Sequence, residues 1–157
     1  MKKVLLTIVL CTIALVGYAQ KGEMMASAQF STASGHGITN PGLGAKFSYS
    51  ITDPWRVAAS FDYGFKNKGI CSWDINIDAN YQFFFGKGFR AYPLAGFTVL
   101  GYYVPKYESI TCVGANLGGG TQYDINDSWA VYTEIKGQFV SNKGSRFVWS
   151  IGGSYKF

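Results

Sequence analysis

The chain has 157 residues, 48% apolar, 17% aromatic and only 15% charged, with a formal net charge of +5. Eleven tyrosines, twelve phenylalanines and twenty glycines without a period of three exclude a disordered or collagen-like chain, and they disfavour a helical bundle. The length predicts one domain, and so small a positive charge excludes a nucleic-acid footprint.

In chain order, the first element is a secretory signal peptide. Lys2 and Lys3 form its positive head, Val4 to Val16 its apolar stretch, and Gly17-Tyr18-Ala19 its small-residue cleavage site. The apolar stretch is short for a membrane helix and runs at once into polar Gln20-Lys21-Gly22-Glu23. Cys11 is not a lipoprotein site, because Leu10 stands where a small residue is required. Cleavage after Ala19 removes 19 of 157 residues and two lysines, leaving 138 residues from Gln20 at a net charge of +3.

The rest alternates with a period of two, the signature of strands. After a weak strand over Met24–Thr32, Leu43 to Ile51 places Leu43, Ala45, Phe47 and Tyr49 opposite Gly44, Lys46 and Ser48. Trp55 to Lys66 sets Trp55, Val57, Ala59, Phe61 and Tyr63 against Arg56, Ala58, Ser60 and Asp62. Trp73 to Phe83 sets Ile75, Ile77 and Tyr81 against Asp74, Asn76, Asp78 and Asn80. Phe89–Tyr102 is apolar on both faces and leaves its parity open; if Arg90 points inward, Phe89, Ala91, Pro93, Ala95 and Phe97 point outward. Val113 to Tyr123, Trp129 to Phe139 and Phe147 to Phe157 complete eight strands. Their lengths suit tilted strands that cross a bilayer, and an even number returns both ends to one side.

The connections differ in kind. Thr52-Asp53-Pro54, Gly86-Lys87-Gly88 and Asn126-Asp127-Ser128 read as tight turns. Ser34–Gly42, Lys66–Gly69, Tyr103–Ser109 and Ser141–Ser145 read as mostly longer loops. Short turns on one side and longer loops on the other suit an outer-membrane barrel. One hairpin also repeats at a spacing of 74 residues. Tyr49-x-Ile51-x-Asp53-x-Trp55-x-Val57 returns as Tyr123-x-Ile125-x-Asp127-x-Trp129-x-Val131, placing two similar hairpins on opposite sides of an eight-stranded ring.

One face of the strands is aromatic and aliphatic. The other carries Lys46, Asp62, Asp74, Asp78, Glu134, Lys136, Arg146 and Lys156. Both cannot be a protein core, and a soluble sandwich with so large an apolar outer face would aggregate. The apolar face therefore meets lipid and the polar face fills a narrow lumen. Both signs are present, so a crossed ion-pair network plugging the barrel is expected, with Glu134 and Lys136 sharing one face of one strand. Tyr49, Trp55, Tyr123 and Trp129 flank two of the tight turns and are expected at the periplasmic membrane interface.

The closing Trp149-x-Ile151-x-Gly153-x-Tyr155-x-Phe157, with Leu117-Gly118-Gly119-Gly120, Tyr123 to Trp129 and Glu134, resembles the eight-stranded outer-membrane barrels of OmpA/OmpX type, in the form common among Bacteroidetes. The resemblance covers residues 22–157. It implies an all-β, antiparallel up-and-down barrel in the outer membrane of a Gram-negative bacterium. It further implies lipid and lipopolysaccharide as surroundings, and assembly by the barrel-assembly machinery, with Tyr155 and Phe157 as its signal. No peptidoglycan-binding domain is expected after the last strand.

Activity is less legible. His36-Gly37-Ile38-Thr39-Asn40-Pro41-Gly42 faintly resembles the His-x-Ser-Asn-x-Gly run of lipid A deacylases. The spacing differs by one residue, Thr replaces Ser, the run falls in the first loop, and no base held by a third group accompanies it. Lys66, Lys68, Lys143 and Arg146 read either as lipid-phosphate contacts or as solvated loop charge. Cys71 and Cys112 point to opposite faces with one strand between, so a disulfide requires both to lie in flexible loop ends. Two cysteines and one histidine at wide spacing make no metal site, and no cofactor is expected. The expected function is a structural or surface-interaction role as a monomer; the alternatives are a lipid-modifying enzyme and a small-solute channel.

Overall fold

The computed structural model describes residues 22–35, 37–67, 69–103, 109–141 and 144–157. The signal peptide over 1–19 and His36 lie outside them. Nine strand segments follow in order: β1 Met24–Gly35, β2 Ile38–Ser50, β3 Trp55–Asn67, β4 Ile70–Tyr81, β5 Phe83–Phe84, β6 Phe89–Tyr103, β7 Ile110–Asp124, β8 Trp129–Val140 and β9 Gly144–Lys156. All pairings are antiparallel between chain neighbours, and β1 pairs β9 from Met25↔Lys156 to Ser34↔Phe147, which closes the ring. The ring has eight staves, because β5 continues β4 along β6.

The break between β4 and β5 has a local cause. Asn80↔Leu94 and Phe83↔Ala91 keep one register across it, so Tyr81 and Gln82 face Pro93 and Tyr92. Proline has no N–H to give the ladder. On the other side of the strand the β3 register carries on past Trp55↔Tyr81, with the Gln82 N–H donating to the Pro54 carbonyl at 2.6 Å.

The two copies of the repeated hairpin fold alike. Ile51 and Thr52 donate to the Trp55 carbonyl at 2.9 and 3.2 Å, and Ile125 and Asn126 donate to that of Trp129 at the same distances. Side-chain oxygens cap both turns: Thr52 Oγ1 accepts from Trp55 N at 3.1 Å, and Asn126 Oδ1 from Trp129 N at 2.7 Å.

The opposite end departs from expectation. Ser34–Gly42 is not a long loop: the β1–β2 ladder continues through Ala33↔Asn40 to Gly35↔Ile38, and Ser34 Oγ lies 3.0 Å from Thr39 Oγ1. Lys66–Gly69 likewise narrows to two residues between β3 and β4, and β8 and β9 pair up to Val140↔Gly144. Only 104–109, between β6 and β7, is longer. Ser34, Gly35, Thr39 and Asn40 are instead held in paired strand.

Burial is inverted relative to a soluble protein. Inside are serines, amides and charges such as Asn76, Gln138, Arg56 and Asp78. Outside are Phe97 at 75% exposure, Val113 at 62% and Leu117 at 61%. The parity of β6 resolves as Arg90, Tyr92, Leu94, Thr98 and Leu100 inward and Phe89, Pro93, Ala95 and Phe97 outward.

Candidate functional site: the charged lumen

Three layers of side chains cross the lumen. At the turn end, Arg90 donates to Glu23 at 3.1 Å, to Asp124 at 2.5 Å and to Gln82 Oε1 at 3.2 Å. Arg56 donates to Gln122 and Gln82 at 2.7 and 2.8 Å and lies 3.6 Å from Glu23. Lys156 is 3.6 Å from Asp124. This layer joins β3, β6, β7 and β9 to the link between β4 and β5 and to the segment before β1.

In the middle, Lys46 on β2 reaches across to Glu134 on β8, which also accepts from the Tyr92 hydroxyl at 2.8 Å. Lys136 pairs with Asp78 on β4 at 3.2 Å, and Asn116 donates to the same carboxylate at 2.7 Å. Glu134 and Lys136, neighbours on one face, are therefore not each other's partners; each is satisfied from across the barrel. Among the described residues Asp62 has no lysine or arginine within ion-pair distance. It accepts from Gln29 Nε2 at 2.7 Å, while Gln29 Oε1 accepts from the Tyr132 hydroxyl at 2.6 Å.

At the far end, Arg146 on β9 pairs with Asp74 on β4 at 2.5 Å and donates to Gln138 Oε1. Gln138 Nε2 passes on to Asn76 at 2.7 Å. Beside this pair, Leu100, Cys112 and Val140 form a small apolar cluster against Tyr102.

Of the residues expected inside, Lys46, Asp62, Asp74, Asp78, Glu134, Lys136 and Arg146 are all buried, and Lys156 is half-buried at the rim. Sequence reasoning missed Glu23 and Asp124, which stand just outside the alternating runs, and it set amides such as Asn76 and Asn80 on the inward face without a part in linking the charges. The inward glycines carried a usable signal. A Cβ at Gly118 would fall 2.1 Å from the Ile135 carbonyl and 2.8 Å from Lys136 Cβ; one at Gly120 would fall 2.6 Å from Glu134 Cγ and 2.9 Å from the Tyr92 ring. The glycine run on β7 clears space for the middle layer.

Cys71 and Cys112 are both free. They sit within strands, paired to Tyr103 and Leu100 of the intervening β6, so the flexible ends that a disulfide would need do not exist. Tyr49, Trp55, Tyr123 and Trp129 lie on the outer face with 38–52% exposure. Trp55 packs edge-on against Tyr81 at 5.1 Å, and Trp129 against Tyr155 at 5.1 Å, with Phe157 a further 5.2 Å on.

The family described as outer membrane protein beta-barrel domain matches residues 4–157. The chain belongs to this family. Its fold is similar to the N-terminal barrel of Pseudomonas aeruginosa OprF, with a TM-score of 0.75 and 20% identity over 87% of this chain and 98% of that one. Neisserial surface protein A aligns with a TM-score of 0.66 and 17% identity, covering 86% and 96%. The attachment invasion locus protein Ail of Yersinia pestis aligns with a TM-score of 0.61 and 18% identity, covering 87% and 99%. No curated protein sequence matches significantly. The protein is thus an integral outer-membrane barrel, with the apolar face in lipid.

Proposed function

We propose that this barrel serves as a structural component of the outer membrane, closed to solutes, with its outer rim available for surface contact. The observation that carries the reading is the lumen itself. Ion pairs and amide bridges span it at three levels, and the space left between the turn-end and middle layers has a volume of only about 10 Å³. An eight-stranded ring is only wide enough for side chains to fill. Three of the four outer connections are tight hairpins, which favours an envelope role over display of long loops. The test is a planar-bilayer recording of the purified protein beside envelope integrity in a deletion strain. Absence of stepwise conductance with detergent sensitivity on deletion supports the reading; steady ion conductance overturns it for a channel, and altered lipid A on deletion overturns it for a lipid-modifying enzyme.

The same reading makes Tyr49, Trp55, Tyr123 and Trp129 the periplasmic interface anchors. It makes Tyr155 and Phe157 a contact for the assembly machinery, within an aromatic ladder on the lipid face. Deleting Phe157 should lower the amount inserted far more than it lowers the stability of barrels refolded in detergent. Equal loss of both would make Phe157 ordinary packing.

A further inference from the structure

Two neighbouring turns at one end of the barrel carry charges that the lumen does not use. Lys87 stands between β5 and β6, and Asp127 between β7 and β8. Both are exposed, and among the described residues neither makes an ion pair. They line one open cavity of about 460 Å³, a size that holds small ligands. The carboxylates at its floor are already matched: Glu23 and Asp124 take Arg90, and Lys156 lies 3.6 Å from Asp124. With three donors, Lys156 keeps some free for the cavity. Lys87 sits in the left-handed region at φ 49°, between Gly86 and Gly88, where a third glycine would fit with less strain. What the lysine adds is charge.

The cavity lies at the level of lipid headgroups. Tyr123 and Trp129 bracket the second turn on the outer face, and both residue types favour the membrane–water interface. The two turns are tied together by Asp124 N–H, which donates to the Gly88 carbonyl at 2.9 Å, and the adjoining pair Phe89↔Tyr123 faces outward. Further along the strands, toward the bilayer centre, the outward positions are small: Ala91 beside Thr121, then Pro93 beside Gly119. Phe83 on β5 flanks Ala91, and Ile135 on β8 flanks Gly119. The result is a shallow groove on the lipid face, continuous with the charged cavity and suited to an acyl chain.

We propose that cavity and groove together hold one phospholipid whose headgroup carries a phosphate and a primary ammonium. The phosphate accepts from Lys87 and Lys156, the ammonium donates to Asp127, and an acyl chain lies along the groove. A headgroup without an ammonium leaves Asp127 unpaired beside a phosphate, and a trimethylated ammonium offers it no N–H. The charges select the headgroup, and the groove selects a lipid over the same headgroup free in water.

Titrations of the full barrel in maltoside micelles, followed by backbone amide shifts, test this. The probes are phosphatidylethanolamine, phosphatidylglycerol and phosphatidylcholine with equal short chains, and chain-free glycerophosphoethanolamine. Phosphatidylethanolamine should bind about fivefold tighter than the other three, with shifts at Gly88, Asn126 and Asp127. Asp127→Asn should erase its preference over phosphatidylglycerol, and Lys87→Gln should weaken all three lipids. Both changes lie on exposed turns and should leave the heat-modifiable gel shift of the folded barrel intact; if a variant does not fold, the wild-type ranking decides alone. Equal affinity for the three lipids, shifts spread evenly round the aromatic belt, or an unchanged preference in Asp127→Asn overturns the site. Glycerophosphoethanolamine binding as tightly as the lipid overturns the lipid in favour of a soluble zwitterion.

Discussion

The two ends of the lumen are closed by different chemistry. At the end that the proposed orientation turns to the periplasm, Arg90 gathers Glu23, Asp124 and Gln82, and its carboxylate partners keep 16–17% of their side chains in solvent. At the outer end the Arg146–Asp74 pair has only 6–7% exposure and stands beside the apolar Leu100, Cys112 and Val140. Water and salt reach the first closure and hardly touch the second. One end is therefore a screened, adjustable seal and the other a packed one, with the Lys46–Glu134 and Lys136–Asp78 pairs between them.

The largest effect is expected in that middle layer, on which both ends rest. Glu134→Ala leaves Lys46 as an unpaired buried cation and takes the acceptor from the Tyr92 hydroxyl. Removing one partner of a buried pair costs about 3–5 kcal/mol, and the Tyr132 ring, 4.4 Å from Lys46 Nζ, offsets only part of that. Urea unfolding in detergent micelles should show a drop near the middle of that range at any salt concentration. A wild-type midpoint would mean that Lys46 finds another acceptor and that the layers are not joined through Glu134.

Next come the two ends, which the comparison predicts to differ in salt response. Leu100→Ala empties part of the apolar cluster, and large-to-small changes at a fully buried leucine cost roughly 2–5 kcal/mol. Arg90→Ala removes more contacts, but these are partly solvated and screened, so about 2 kcal/mol is expected at low salt. Raising salt to 1 M should shrink the Arg90 effect and leave the Leu100 effect unchanged. If both respond alike, the two closures are not chemically distinct.

How much of this was legible in the sequence follows from the same contrast. The strands, their inward and outward faces and the inward charges were readable because lipid enforces alternation along every stave: Lys46, Asp78 and Glu134 lie where the period of two puts them. Partner identity was not readable. Glu134 and Lys136 are two residues apart, yet their partners arrive from β2 and β4, and that depends on ring closure and strand stagger. Glu23 and Asp124 were missed because each lies at an alternation's edge, where no periodic signal reaches. The outer hairpins were misread because glycine and serine were taken for loop, although Ser34 and Gly35 are held in paired strand. Gly118 and Gly120 did carry information: an inward glycine beside a polar layer marks where a neighbour's long side chain needs room.

The smallest effect concerns the cysteines, and it probes only the packed outer end. Cys112 is buried against Leu100 and Val140, while Cys71 is half-buried on the other face of the wall, with β6 between them. A sulfhydryl behaves as a small hydrophobe, whereas a hydroxyl in an apolar site loses its water without gaining a partner. Cys112→Ser should therefore cost about 1 kcal/mol. Cys71→Ser touches no such cluster and should stay within about 0.5 kcal/mol of wild type. Thiol labelling of the folded barrel in detergent should modify Cys71 first and reach Cys112 only on unfolding. Oxidised and reduced protein should have the same unfolding midpoint, because strand-held thiols on opposite faces cannot approach to bonding distance. An intact mass lower by two hydrogens after purification, or a midpoint that falls on reduction, would show that the outer end opens far enough for the two to meet. It would then be the adjustable closure, and the contrast between the two ends would reverse.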